Sequence, residues 1–204
     1  MQSGRWLEMV AQRVERASAL DRLAAGAQGL GRKAVPDGRA KEVLQGTPLG
    51  HPLHPALVAV PIGAWASATL FDLLGDDAGG RRLTAIGCLA ALPAALAGGT
   101  DWLSTDGEQR RVGLVHALLN DAALTCYTLS WRARRRGARS RGLVLSLAGG
   151  GLLGAGAWLG GHLAYSLGVG VDTSTFLDRR VGNDTGQADA DANTSEPASP
   201  TDAG

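Results

Sequence analysis

The sequence predicts an all-α fold: an integral membrane four-helix bundle with an N-terminal amphipathic helix before it and a disordered acidic tail after it. Three observations predict this. Four apolar windows, each about long enough to cross a hydrocarbon core of roughly 30 Å, follow one another between residues 56 and 165. None carries the charged stripe that a helix of a soluble bundle turns to water. Trp102, Trp131 and Tyr165 stand at window ends, where an interfacial aromatic belt belongs. The bulk numbers conceal the pattern. A hydrophobic fraction of 45% and a mean hydropathy of +0.00 average two polar tails with a very apolar middle.

In chain order, residues 1–46 form a polar N-terminal region. Within it, 4–25 reads as an amphipathic helix, with Trp6, Val10, Val14 and Ala17 at helical spacing. Such a helix lies on the membrane surface, packs on the domain, or extends into solvent. Residues 26–46 read as a connector rich in glycine and charge, with Pro36-Asp37-Gly38 as a turn signal. Arg5, Glu8, Arg13, Glu15 and Arg16 interrupt any cleavable signal.

The membrane domain is expected over 47–172, with helices at about 56–74, 83–100, 112–131 and 142–165. Small residues at four-residue spacing in the last helix, Gly150/Gly154 and Gly156/Gly160, permit close helix approach. Residues 173–204 are polar and acidic and read as a disordered tail. Six arginines in 132–141 argue that this loop is cytoplasmic, which puts the termini on the other side.

Composition excludes some classes. A net charge of +1 gives no basic, aromatic-interleaved surface for nucleic acid. Cys88 and Cys126, both in apolar windows, make neither a disulfide framework nor a zinc ribbon, and read as small buried apolar residues. No enzyme signature emerges.

The residues that carry chemistry converge by topology. With four crossings, one membrane face holds the starts of helices one and three and the ends of helices two and four. His51 and His54 precede the first helix, Asp101 closes the second, His116 is just inside the third, and His162 is near the end of the fourth. Imidazole is the commonest metal and haem ligand, and ionisable groups at membrane depth are expensive. A shared site of His51, His54, His116 and His162, with Asp101, is therefore the expectation. In Gly50-His51-Pro52-Leu53-His54-Pro55 each histidine precedes a proline, which predicts an extended elbow presenting both imidazoles on one side. His116, Asn120 and Tyr127 share one face of helix three, Asn120 being placed to orient His116. Trp158, His162 and Tyr165 share a face of helix four. Arg110 and Arg111 could pair with Asp101, Asp106 or haem propionates. Asp72, at the far end, should pair with Arg81, Arg82 or an arginine of 132–141.

Several of these motifs resemble one bacterial membrane-protein family. Leu49-Gly50-His51-Pro52-Leu53-His54-Pro55, Val60-Pro61-Ile62-Gly63, Asp101-Trp102, Gly113-Leu114-Val115-His116 with Asn120, and Gly160-Gly161-His162-Leu163 are similar to the domain-of-unknown-function 2231 family over roughly residues 45–172. The resemblance implies a four-helix integral membrane domain. It also implies proximity to electron transfer, because relatives often carry a Rieske-type iron–sulfur domain after the fourth helix. No Cys-x-His pair follows Val171 here, so such a partner would be a separate chain.

The reading is a multi-pass cell-membrane protein that binds haem or a transition metal for electron transfer. The rivals are a small ion or proton transporter using Asn120, Asp121 and the histidines, and a non-catalytic anchor or assembly partner.

Overall fold

The computed structural model describes residues 3–170. All regular structure among them is helical: α1 (Ser3–Glu15), α2 (Asp21–Ala34), α3 (Arg39–Gln45), α4 (Leu53–Leu73), α5 (Asp77–Trp102), α6 (Gly107–Arg135) and α7 (Arg139–Tyr165). Short 3-10 turns at Ser18–Leu20 and Thr47–Leu49 link the first of them. The tail from 173 onwards lies outside the described residues.

Helices α4 to α7 are long and apolar enough to cross a membrane. Helices α5, α6 and α7 outrun their expected windows, because charged residues extend a helix past the hydrocarbon edge as readily as apolar ones, and α4 starts three residues early. Asp76 caps α5 by accepting from the Gly79 amide at 2.8 Å, which starts that helix six residues early. Large apolar side chains such as Leu89, Leu118, Val144 and Leu147 are exposed, as a lipid-facing surface requires, while Ala64, Ala68, Ala94, Ala97 and Ala123 fill the inside.

The four helices pair as two antiparallel hairpins, α4–α5 and α6–α7, with α5 beside α6 and α4 beside α7. The hairpins match residue by residue. Each turns on a left-handed glycine, Gly75 (φ 83°) and Gly137 (φ 78°). His54 bonds the Ala94 carbonyl and lies against Gly98; His116 bonds the Gly156 carbonyl and lies against Gly160. Trp65 packs on Gly87 as Tyr127 does on Gly149, and Asp72 on Gly80 as Arg134 does on Gly142. In every pair the two residue numbers differ by 62.

Equivalent residues also touch each other. His54 meets His116, with ring centres 6.4 Å apart and planes at 85°. Trp65 stacks on Tyr127 at 4.0 Å and 4°. Asp72 pairs with Arg134, and Asp77 with Arg139. A residue contacts its own equivalent only beside the operator relating the halves. Four such contacts in succession therefore mark a pseudo-twofold axis along the bundle, the arrangement of parallel repeats. On α4 the contacts fall at 54, 65 and 72, spacings that keep them on one helix face.

The N-terminal region is more ordered than its composition suggests. The amphipathic helix breaks after Glu15, and the expected connector holds the rest of α2 and all of α3. These helices pack on the domain at its histidine end. They satisfy the carbonyls that α5 leaves open at its C-terminus. Gln28, buried, donates to the Trp102 and Thr105 carbonyls (2.9 and 3.0 Å), Arg32 to Leu103 (2.9 Å) and Gln45 to Thr100 (3.3 Å).

Candidate functional site

His54 and His116 form the centre of the histidine end. Pro52 has polyproline-like angles (φ −55°, ψ 129°), but the helix starts at the next residue, so His54 is already helical. Pro55 does not prevent this, because the first helical turn needs no amide hydrogen there. The expected elbow with two parallel imidazoles is thus corrected. His51 sits exposed in a bend, while His54 turns inward onto α5.

Each inward histidine is held the same way. The Nδ1 of His54 is 2.8 Å from the Ala94 carbonyl, and that of His116 is 2.8 Å from the Gly156 carbonyl. A carbonyl only accepts, so Nδ1 carries the hydrogen in both, and in the neutral ring Nε2 keeps its lone pair. One turn further along each accepting helix stands a glycine. A Cβ on Gly98 would lie 2.7 Å from the His54 ring, and one on Gly160 would lie 2.8 Å from that of His116. Glycine lets the imidazole rest on helix backbone.

Asn120 stands where helical spacing put it. Its amide donates to the His116 carbonyl at 2.9 Å and lies 3.1 and 3.4 Å from the two ring nitrogens, next to Gly156. Near-equal distances to both nitrogens place the amide against the ring rather than along the Nε2 lone pair. Tyr127, one face down, is buried in the Trp65 stack.

The four histidines do not assemble. His162 is taken by the N-terminal region: Nε2 lies 2.6 Å from Glu15 Oε1, and Trp158 stacks on the ring at 5.9 Å. Tyr165, expected on that face, is 90% exposed. Asp101 is half-buried, and among the described residues its carboxylate has no hydrogen bond. No three His, Cys, Asp or Glu side chains among the described residues are grouped to hold a metal ion. The reason is topological: one end of a four-helix bundle is wide enough to separate residues that share a membrane depth.

Arg110 and Arg111 pair with neither Asp101 nor Asp106. Both reach Asp21 at the start of α2, at 3.1 and 2.7 Å, and Arg111 also donates to the Glu15 carbonyl. The hydrogen bonds from Arg111 and then Arg110 hold the Asp21 carboxyl down at about 2. The Arg110 Nε is buried and has no partner. Asp121 is exposed on the outer face of α6, away from Asn120. The cysteines are free and half-buried rather than buried, and Thr128 donates to Cys88 Sγ at 3.7 Å. At the far end the expectation for Asp72 is met. Arg134 grips it with two guanidinium nitrogens, and Ser130 and Ser146 flank the arginine at 3.1 Å each.

Sequence reasoning missed the supporting residues, Ala94, Gly98 and Trp65, and the repeat that generates them. The signal was present as identities 62 apart: His54/His116, Gly75/Gly137, Gly80/Gly142, Gly87/Gly149 and Gly98/Gly160.

Residues 50–173 match the predicted membrane protein family DUF2231, and the chain belongs to that family. No curated protein and no solved structure matches it.

Proposed function

We propose that this multi-pass cell-membrane protein serves electron transfer, with His54 and His116 as the residues that would hold a haem. The observation that carries the reading is the pair itself: two imidazoles on the bundle axis, each pinned through Nδ1 to a backbone carbonyl. That is the support a ligating histidine needs, since it fixes the tautomer and orients the free nitrogen. Their ring centres are 6.4 Å apart, close enough for both rings to reach one ligand.

Ligand count favours haem over a bare ion. Among the described residues no third ligand joins the pair, and a haem would need no more than two from the protein. When bound, the haem supplies one-electron chemistry; the chain supplies the ligands, their orientation and an apolar surround. The transporter reading lacks this support, because Asp121 and Asn120 lie on different faces of α6.

The test is an absorption spectrum with metal analysis on detergent-purified protein expressed with haem supply. A Soret band lost in His54→Ala and His116→Ala, but kept in His51→Ala and His162→Ala, is the expected result. A colourless, iron-free wild type would overturn the reading and leave the anchor or assembly role.

A further inference from the structure

The arginine-rich end of the bundle carries a cleft of about 160 Å³ lined by Asp77, Arg81, Arg134, Gly137 and Arg139. Two of its arginines are already neutralised. Arg134 holds Asp72, and Arg139 Nε is 2.5 Å from Asp77. Arg81 is half-buried, and among the described residues its guanidinium has neither an ion pair nor a hydrogen bond. Around the cleft, Arg82, Arg132, Arg135, Arg136 and Arg141 are exposed. This end therefore has eight arginines against Asp72, Asp76 and Asp77, and Asp76 is spent on its helix cap. At the histidine end, ten basic residues of 3–50 and 101–111 face eight acidic ones. Among the described residues the arginine end is therefore the more positively charged of the two.

The pseudo-twofold axis sharpens the point. The equivalent of Arg81 in the second hairpin is Leu143. The twofold-related position beside Asp72, Gly75 and Asp77 thus has a leucine where the cleft has its free guanidinium. The cation belongs to one side of the bundle only. Further along α5 from Arg81, near its own helix face, Leu89 and Leu92 are strongly exposed.

We propose that this cleft binds the phosphate of an anionic phospholipid, with Arg81 as its direct partner. A guanidinium matches a phosphate oxygen pair in geometry and charge. The exposed leucines below receive the acyl chains, which is why the occupant is a lipid rather than free phosphate. Basic recesses between membrane helices hold headgroups in the same way.

The experiment reconstitutes the full chain in nanodiscs of phosphatidylcholine doped with phosphatidylglycerol and counts retained lipids by native mass spectrometry. Selective retention of phosphatidylglycerol is expected. It should fall about fivefold in Arg81→Gln, the effect of one arginine at an anionic surface. It should persist in Arg81→Lys and in Arg141→Gln, whose site is on open surface. Equal retention of both lipids, or an unchanged Arg81→Gln, overturns the proposal. An equal loss in Arg141→Gln means diffuse attraction and overturns the site. Displacement of the lipid by excess inorganic phosphate overturns the commitment to a phospholipid.

Discussion

Asp72→Asn tests the axis most directly. The side chains of Asp72 and Arg134 are each 4% exposed, and Arg134 spends two nitrogens on the carboxylate. Removing the negative charge leaves a guanidinium inside the bundle with only the Ser130 and Ser146 hydroxyls near it. Breaking a buried pair from one side costs about 3–5 kcal/mol. At roughly 2–4 °C per kcal/mol for a chain of this size, the midpoint of thermal unfolding in detergent, followed by circular dichroism, should drop by roughly 6–20 °C. Because the two positions are equivalent across the axis, the charge swap Asp72→Arg with Arg134→Asp should recover part of the loss. Recovery stays incomplete, since an arginine at 72 faces Thr84, the counterpart of Ser146, and Ala68 in place of Ser130. Leucine at both positions should unfold closer to wild type than either single change, because it buries no charge. A loss below about 1 kcal/mol in Asp72→Asn would be the signature of a solvated pair and would refute the buried axis.

Three further outcomes follow from the same geometry. Gly160→Ala should destabilise, since its Cβ would meet the pinned His116 ring at 2.8 Å and an overpacking cost of about 1–3 kcal/mol exceeds the roughly 1 kcal/mol helix-propensity gain; Gly161→Ala, with open space around it, should be neutral or slightly stabilising in the same unfolding assay. Trp65→Ala should cost about 3–5 kcal/mol, and Trp65→Tyr, which copies the second hairpin, much less by the same measurement. Asp21, held at about 2 against an ordinary 3.8, contributes stability that is fully present above about pH 4 and lost as pH falls toward 2; hydrogen exchange of α1 and α2 should therefore stay slow at pH 5 and rise near pH 2, and rise at neutral pH in Asp21→Asn.

Membrane-spanning character was legible because its signal is length and apolarity, which need no tertiary information. The Asp72 partnership was legible because a charge at membrane depth has few candidate partners. His116 and Asn120 were legible because their four-residue spacing is a property of one helix. What was not legible required knowing which helices are neighbours. Glu15 reads as the polar face of an amphipathic helix until α1 is seen against the end of α7, where it takes His162 out of any shared site. Asp21 reads as an ordinary N-terminal acid until α2 is placed beside the start of α6. The order of α2 and α3 was hidden for a different reason: their glycines and charges read as a linker, yet their glutamines bond α5 carbonyls.

The duplication explains which residues can change and which cannot. At Gly80/Gly142, Gly87/Gly149 and Gly98/Gly160 a side chain from the other helix of the hairpin lies on the backbone, so both copies remain glycine. At the axis the two copies meet each other, and identical residues there have different consequences. Two aspartates at 72 and 134, or two arginines, would repel inside the bundle, whereas Asp72 with Arg134 and Asp77 with Arg139 attract. The acid belongs to the first hairpin and the base to the second in both cases. That division favours the first hairpin pairing with the second over either pairing with its own copy. Histidine is the one ionisable axis residue kept in both halves. Both rings donate Nδ1 to a backbone carbonyl, and the Asn120 amide lies 3.1 Å from Nε2 of His116. The axis thus replaces like charges with opposite ones where carboxylates and guanidinia meet, yet keeps two imidazoles in contact at its histidine end.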